Sequence, residues 1–228
     1  MTSKRARLDR FISKQANIPQ REVQRLLAQG KVQLNHEVTR DGKQVINPFT
    51  HVMLADQILQ DNTAYYLMLH KPPGTVSATK DATHPTVVEL LPDDIYPDIH
   101  IAGRLDFNSS GLLLLTNDGQ WSRFLASPES GIQKRYRVTV EKPLSQDHVS
   151  AFAEGMYFDY EGITTRPATL KIISPFEAEV LLREGRYHQI KRMFGRFQNR
   201  VVSLHRSGIG SLELDENLAP GESRPLSE

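Results

Sequence analysis

One segment of the sequence combines a carboxylate with a fully apolar stretch. Residues 103–119 read Gly-Arg-Leu-Asp-Phe-Asn-Ser-Ser-Gly-Leu-Leu-Leu-Leu-Thr-Asn-Asp-Gly, a polar loop that leads into four leucines and ends in an Asn-Asp-Gly turn. The leucines are apolar on all sides, which favours a short strand buried on both faces. Asp106 precedes this strand. It is therefore either a capping or turn acid, or a carboxylate held at the edge of a core, where water is scarce.

The cationic residues are concentrated in two segments. The net charge is only +1, because 28 Lys and Arg oppose 27 Asp and Glu. Residues 1–50 nevertheless hold ten cations against four acids, and residues 183–200 hold six against one, whereas residues 51–100 hold two against seven. Such asymmetry is typical of polyanion-binding proteins, because each neutralised phosphate releases counterions. A solvated basic surface is the alternative interpretation.

Several classes of protein are excluded by composition. The chain contains no Cys, which excludes disulfide scaffolds, thiolate nucleophiles and Cys-ligated metal sites. The eight His show no metal-ligand spacing, so we expect no metal. No apolar run approaches the roughly 20 residues of a membrane-spanning helix. The first residues lack an apolar stretch of the signal-peptide type, so we expect a cytoplasmic protein without a membrane partner.

Residues 1–60 show the periodicity of a small separate module. Apolar residues recur at helical spacing twice, first at Leu8, Phe11 and Ile12 and then at Val23, Leu26 and Leu27. Pro19 is expected in the first turn of the second helix and Gly30 at its exit. Residues 32–38 alternate around Asn35-His36, which predicts a hairpin. Residues 61–64, Asp-Asn-Thr-Ala, form a candidate linker.

The second part, residues 65–228, alternates strands with helices. Strands are predicted at 65–70, 112–115, 135–140, 168–173, 178–182 and 201–204, and helices at 145–156 and 189–197. Residues 92–97 are acidic and rich in turn formers. The residues from 220 onward are expected to form a tail.

Two sets of motifs resemble known families. Residues 7–12 (Arg-Leu-Asp-Arg-Phe-Ile), 25–27 (Arg-Leu-Leu) and 30–35 (Gly-Lys-Val-Gln-Leu-Asn) are similar to the alpha-L RNA-binding module. Residues 103–119 resemble the catalytic-aspartate motif of RsuA-type pseudouridine synthases. Residues 71–74, Lys-Pro-Pro-Gly, resemble the element that supports the catalytic loop in that family. Residues 134–138 resemble the element that supplies an active-site tyrosine, and residues 184–194 the one whose cation pairs with the aspartate.

The resemblance covers residues 5–225 and implies an α+β fold. It implies a small RNA-binding module at 1–60, a linker at 61–64 and a catalytic domain at 65–228. The catalytic domain is expected on a large mixed, mainly antiparallel sheet with flanking helices. The residues departing from the family pattern are Phe107, which is bulkier than usual, and Asn108-Ser109-Ser110, which replace Asp-Thr-Thr. We expect these to affect the loop locally.

The family reaction isomerises uridine in RNA to pseudouridine and needs no cofactor. By resemblance, Asp106 is the catalytic carboxylate, which attacks C1′, removes a ribose proton or attacks the base. Lys191 is the cation paired with it, and Tyr136 is the ring that stacks on uracil. Arg104 fills the space that the base vacates or binds the adjacent phosphate. The RNA-binding candidates are Arg104, Arg7, Arg10, Arg21, Arg25, Lys31, Arg186, His188 and Arg192. The residues expected to support the catalytic loop are Lys71, Pro72 and Gly74.

The expected partner is 16S rRNA or a small-subunit assembly intermediate, bound by a monomer. Residues 184–189 together with Lys191 are most similar to the family members that act on 16S rRNA, for which uridine 516 is the expected target. A paralogue that modifies 23S rRNA is the nearest alternative. A non-catalytic RNA-binding assembly factor is an alternative of another class. A glycosidase with two carboxylates fits poorly, because no second acid has a comparable motif around it.

Overall fold

The computed structural model describes residues 5–92 and 98–226. The chain divides into two compact units, Met1–Ala64 and Tyr65–Glu228. The acidic segment at 92–97 lies almost entirely outside the described residues. No helix within the described ranges is long and apolar enough to cross a membrane.

Within residues 5–64, the first unit contains two helices and six short strands. In chain order they are β1 (Ala6–Arg7), α1 (Leu8–Gln15), α2 (Gln20–Ala28), β2 (Val32–Leu34), β3 (Glu37–Thr39), β4 (Val45–Ile46), β5 (Val52–Leu54) and β6 (Gln57–Gln60). Four strands form an antiparallel sheet in the order β3-β2-β5-β6, and β1 pairs with β4. The helices pack on this sheet through the apolar residues Leu8, Ile12, Val23 and Leu27, which are all buried.

The two predicted helices and the predicted hairpin of this unit are present. Asn35 and His36 have φ angles of 47° and 70°, the left-handed pair that a tight two-residue hairpin turn requires. Gly30, at φ 69°, follows α2 as expected. Pro19 lies one position earlier than predicted, at the N-cap of α2, because the helix begins at Gln20. The strands β4, β5 and β6 were not predicted.

The second unit contains one sheet that is formed by nine strands of the described residues. Its elements are β7 (Tyr66–Lys71), β8 (His100–Ala102), β9 (Ser110–Thr116), α3 (Gly119–Ala126), a 3₁₀ turn (Pro128–Ser130), β10 (Lys134–Val140), α4 (Gln146–Glu154), β11 (Tyr157–Phe158), β12 (Ile163–Thr164), β13 (Thr169–Ser174), β14 (Glu177–Leu182), α5 (Gln189–Gly195), β15 (Val201–Ile209), β16 (Leu212–Glu213) and β17 (Ser223–Pro225). The strand order is β13-β14-β10-β15-β9-β7-β17, with β8 on β9 and β16 on β15.

The pairing confirms the predicted mixed, mainly antiparallel α+β fold. Among the described strands of this sheet, only β9 and β15 run parallel, with Ser110 and Gly111 opposite His205 and Arg206. The strand backbones approach so closely there that a Cβ on Gly111 would lie 2.3 Å from the carbonyl oxygen of Arg206. Gly111 also has φ 107°, a conformation that favours glycine.

Both faces of the sheet are covered. The leucines 112–115 of β9 are fully buried, which confirms the prediction of a strand with two covered faces. Leu113 and Leu115 pack with residues of α4 and α5, such as Phe152 and Phe194. Leu112 and Leu114 pack on the other face with Leu125 of α3. The central position of β9 fixes where the polar loop before it can lie.

Two sequence predictions for this unit were wrong. Residues 117–119, Asn-Asp-Gly, do not form the predicted turn. Asp118 instead caps α3, because its side chain accepts hydrogen bonds from the backbone N–H groups of Gln120 and Trp121. Residues 221–226 are not a tail, because β17 pairs with β7 and forms an edge of the sheet. Arg224 of β17 forms an ion pair with Asp215 at 2.7 Å, and Leu226 packs in the apolar cluster beneath.

Candidate active site

The loop between β8 and β9, residues 103–109, carries Asp106 at the rim of a cleft. Gly103 begins the loop with φ 87°, and Ser109 N–H closes it by donating to the carbonyl oxygen of Asp106 at 3.0 Å. The side chain of Asp106 is 25% exposed. The carboxylate is thus neither a helix cap nor fully solvated. It lies at the edge of the core, the second of the two positions that the sequence left open.

Lys71 holds this loop from inside the protein. It is the last residue of β7 and is fully buried. Its ammonium donates to the carbonyl oxygens of Ser109 at 2.8 Å, Pro72 at 2.9 Å and Phe107 at 3.2 Å. Burial lowers the pKa of Lys71 to about 8, against the opposing effect of the nearby Asp106 carboxylate. Gly74 N–H donates to Phe107 as well, at 2.9 Å. Lys71 and Gly74 therefore contact the loop directly, and Pro72 accepts a hydrogen bond from Lys71.

Arg206 is a second buried cation under the loop, and sequence analysis missed it. Its guanidinium donates to the carbonyl oxygens of Leu112 at 2.8 Å, Gly103 at 2.9 Å and Arg104 at 3.4 Å. Alternate residues of a strand face the same side of a sheet, and Leu204 and Arg206, two residues apart on β15, are both buried. The predicted strand ended at residue 204 and therefore did not include Arg206.

Ser77 is another contact that was not predicted. Its hydroxyl donates to the carbonyl oxygen of Leu105 at 2.7 Å and accepts from the N–H of Leu105 at 3.1 Å. Both backbone groups of the residue before Asp106 are therefore satisfied by one side chain. Together with Lys71 and Arg206, this pair of bonds fixes the loop backbone on both sides of the carboxylate.

Helix α5 brings two side chains to Asp106. Lys191 Nζ lies 2.8 Å from Asp106 Oδ2, and His188 Nε2 lies 3.3 Å from Oδ1. His188 is the N-cap of α5 and Lys191 lies in its first turn, three residues later, so both point from the same side of the helix. The structure thus places Lys191 where the resemblance implied. It also places His188, predicted as an RNA contact, against the carboxylate.

The turn before α5 is organised around a buried acid that sequence analysis did not single out. Glu184 is 1% exposed and accepts hydrogen bonds from Gln189 Nε2 at 2.7 Å, Arg166 N–H at 3.0 Å and Arg186 Nε at 3.1 Å. Gln189 in turn accepts from the N–H of Arg186 at 3.0 Å. Buried carboxylates require such partners. The network sets the position from which α5 begins.

Tyr136 lies in the same cleft. It belongs to β10, is 7% exposed, and its ring centre is 6.0 Å from the Arg206 guanidinium carbon. The cleft is open to solvent. The predicted site residues that line it are Arg104, Asp106, Tyr136, Arg186 and His188. An anion, an aromatic face and exposed cations thus meet in one concave surface.

The remaining predicted RNA contacts fall into two groups. Arg192 forms an ion pair with Glu161 at 2.6 Å and stacks on Phe158. Arg7 and Arg25 form ion pairs with acids two and three residues away in the chain, Asp9 and Glu22. Arg10, Arg21 and Lys31 of the first unit, together with Arg104 of the second, are exposed and form no ion pair within residues 5–92 and 98–226. These four cations are available to an anionic ligand without exchange of an existing ion pair.

The arrangement supports chemistry at a carboxylate. The ammonium of Lys191 compensates the charge of Asp106 at the core edge, and an oxygen of the carboxylate can act as nucleophile or base on a group bound in the cleft. No three His, Cys, Asp or Glu side chains are grouped as metal ligands in the described part of the chain.

Comparisons with known proteins show which family the chain resembles. Residues 65–195 match the family model described as RNA pseudouridylate synthase. The chain is 49% identical over 222 residues to ribosomal small subunit pseudouridine synthase A of Pseudomonas aeruginosa, covering 97% of this chain and 96% of that protein. It is 40% identical over 223 residues to the protein of that name in Escherichia coli, with the same coverage. A crystal structure of a pseudouridylate synthase, 37% identical, superposes with a TM-score of 0.70 over 99% of this chain and 96% of that one.

Proposed function

The chain belongs to the RNA pseudouridylate synthase family, and we propose that it converts one uridine of 16S rRNA to pseudouridine with Asp106 as the catalytic carboxylate. The observation that carries this proposal is the position of Asp106. It stands at the rim of a concave cleft, paired with Lys191 on one oxygen and contacted by His188 on the other. The relatives' names support small-subunit rRNA as the substrate, and we propose uridine 516 as the target within it.

The reaction rearranges the base without adding or removing atoms. The N1–C1′ bond breaks, the uracil rotates, and C5 bonds to C1′; C5 loses a proton and N1 gains one. Asp106 can assist by attack on C1′, by removal of a ribose proton or by attack on the base. Each route needs a carboxylate oxygen that faces the nucleotide, and the cleft lies on that side of Asp106.

Tyr136 and Arg104 are proposed to hold the flipped nucleotide. An enzyme that acts on a base inside folded RNA must extrude it, which costs a few kcal/mol. Stacking on an aromatic ring stabilises the extruded base by roughly 1–3 kcal/mol. The Tyr136 ring lines the cleft beside Asp106 and can supply that surface, with its hydroxyl near the proton lost from C5. Arg104 is exposed two residues before Asp106 and can fill the vacated space or bind a phosphate.

The first unit is proposed as an accessory RNA-binding module. It carries exposed cations, Arg10, Arg21 and Lys31, that form no ion pair within the described residues. Free cations of this kind bind phosphates through counterion release, which is sequence-independent. The module would therefore add affinity for rRNA without selecting the uridine.

Tritium release separates catalysis from binding. Small-subunit particles or 16S rRNA labelled with 5-tritiated uridine should release one tritium per molecule with the wild-type protein. Asp106→Asn should release none while its affinity for the RNA stays within about threefold, because the charge changes without a loss of shape. Asp159→Asn, an exposed carboxylate outside the cleft, is the matched control and should behave as wild type. Activity in Asp106→Asn would remove Asp106 as the catalyst, and an inactive wild type would favour a non-catalytic assembly factor.

Mapping of pseudouridines identifies the target. In a strain that lacks this gene, the proposal expects one pseudouridine to disappear from 16S rRNA, at position 516, and 23S rRNA to be unchanged. Loss of a 23S modification instead would assign the chain to the paralogues that act on the large subunit.

A further inference from the structure

We infer that His188 is a positioning residue for the catalytic carboxylate rather than an RNA contact. The inference rests on the proposed function, since it assigns how Asp106 is oriented for that reaction. His188 and Lys191 approach different oxygens of the carboxylate, at 3.3 Å to Oδ1 and 2.8 Å to Oδ2. Two contacts restrain the rotation of the carboxylate plane, which a single contact leaves free.

The positioning role requires a hydrogen on Nε2 of His188. A carboxylate oxygen only accepts hydrogen bonds, so Nε2 of His188 must carry a hydrogen to interact favourably with Oδ1. A neutral imidazole protonated at Nε2 satisfies this requirement, as does the imidazolium. The positioning role therefore needs a donor at the place of Nε2 and does not need a positive charge.

The backbone at His188 is held in an uncommon conformation. Its φ of 48° lies in the left-handed region, which few residues other than glycine adopt, although histidine, asparagine and aspartate do so more often than most. The conformation persists because the flanking residues are tied down: Glu184 binds Gln189 at 2.7 Å, and the N–H of Arg192 donates to the His188 carbonyl oxygen at 3.0 Å. Strained backbone that is stabilised by its surroundings concentrates at functional sites. Here the strain turns the imidazole toward Asp106.

The ring itself is restrained by stacking. Tyr187 lies parallel to it, with ring centres 3.9 Å apart and planes 19° apart. Tyr187 is 75% exposed, so it has no packing role in the core and contributes by covering one face of the imidazole. The imidazole is thus fixed by its backbone, by its aromatic neighbour and by the carboxylate. Such restraint suits a group that positions another side chain.

Two substitutions test the inference. His188→Asn suits the left-handed backbone, and its amide ends near the place of Nδ1, too short to reach Asp106. His188→Gln carries an amide N–H near the place of Nε2 and can restore the contact. We expect kcat for pseudouridine formation to fall about 10- to 100-fold in His188→Asn, because misplaced reacting groups lose rate on this scale. KM for the rRNA should stay within about twofold. In His188→Gln, kcat should return to within about fivefold of wild type.

The opposite results would overturn the inference in different ways. A raised KM with unchanged kcat in His188→Asn would make His188 an RNA contact, as the sequence suggested. A His188→Gln variant no better than His188→Asn would show that a neutral donor is insufficient. Thermal unfolding of both variants checks that α5 is retained, and if His188→Asn does not fold, His188→Gln against wild type decides the question. An inactive wild type would contradict the proposed function itself, whereas an active wild type with kinetically unchanged variants would contradict only this inference.

Discussion

Lys191 Nζ lies 2.8 Å from Asp106 Oδ2, and both side chains are about one quarter to one third exposed. The ammonium is therefore placed to compensate the charge of the Asp106 carboxylate. We predict that Lys191→Met lowers kcat by about 10²-fold, the loss typical of removing a charge-stabilising donor, and that Lys191→Arg recovers part of it. Steady-state tritium release and an RNA-binding assay measure the two effects. An equal loss of rate and affinity in Lys191→Met would identify the lysine as a phosphate contact instead.

The lowered pKa of Lys71 predicts how the free energy of unfolding depends on pH. Its pKa is about 8 in the folded protein, because of burial, and 10.5 in the unfolded chain. Between these values the unfolded chain holds a proton that the folded protein has released, so the free energy of unfolding should rise with pH. Relative to Lys71→Met, the wild type should gain up to about 3 kcal/mol from pH 8 to pH 10.5.

Urea unfolding of both proteins across this range measures the difference. The pKa of Tyr66 is raised and that of Lys134 is lowered by burial, but both groups are present in both proteins and cancel in the comparison. A difference that stays constant or falls with pH would contradict the lowered pKa of Lys71 in the folded protein.

Ser77 and Ser109 offer a matched pair of buried hydroxyls next to the same loop. Ser77 bonds both backbone groups of Leu105, whereas the Ser109 hydroxyl has no hydrogen-bond partner among residues 5–92 and 98–226. We predict that Ser77→Ala lowers the free energy of unfolding by about 1–3 kcal/mol, because it leaves buried groups unsatisfied. Ser109→Ala should change it by less than about 1 kcal/mol. Equal losses, measured by chemical denaturation, would mean that Ser109 also stabilises the loop.

The free cations of the first unit predict a change in salt dependence. Each phosphate contact contributes roughly −0.7 to −0.9 to the slope of log K against log salt concentration. If Arg10, Arg21 and Lys31 each contact a phosphate, their joint replacement by alanine should make the slope shallower by about 2–3. Titrations of 16S rRNA fragments at several salt concentrations measure it, with Lys171→Ala, an exposed cation of the second unit, as control. An unchanged slope would place this surface away from the RNA.

Local patterns in the sequence were sufficient to locate the central elements. Leucines 112–115 are apolar in every direction, which favours a strand covered on both faces, as found for β9. The amphipathic repeats of residues 8–12 and 23–27 likewise predicted α1 and α2. Short strands such as β4, β11 and β17 were not predicted, because two or three residues carry too little periodicity and form only against a neighbour.

Charge counting predicted the basic segments but not which of their cations are free. Arg192 and Arg10 look alike in the sequence, since each lies in a basic segment. Arg192 is engaged by Glu161, 31 residues earlier in the chain, whereas Arg10 has no ion pair in the described part. Pairing between distant charges depends on the folded backbone, so composition alone does not reveal it.

The sequence by itself determined the loop around Asp106: an acid placed immediately before an apolar strand, and a basic helix later in the chain. These are local properties of side-chain polarity and spacing. The family resemblance also implied that Lys71 supports the loop, but only the tertiary structure showed which atoms it contacts and that Arg206 lies under the same loop. Lys71 reaches Phe107 across 36 residues, and Arg206 reaches Leu112 across 94, because β15 lies parallel to β9 and β7 pairs on its other edge. Strand order brings these residues together, and it is set by the packing of the whole sheet rather than by any one segment.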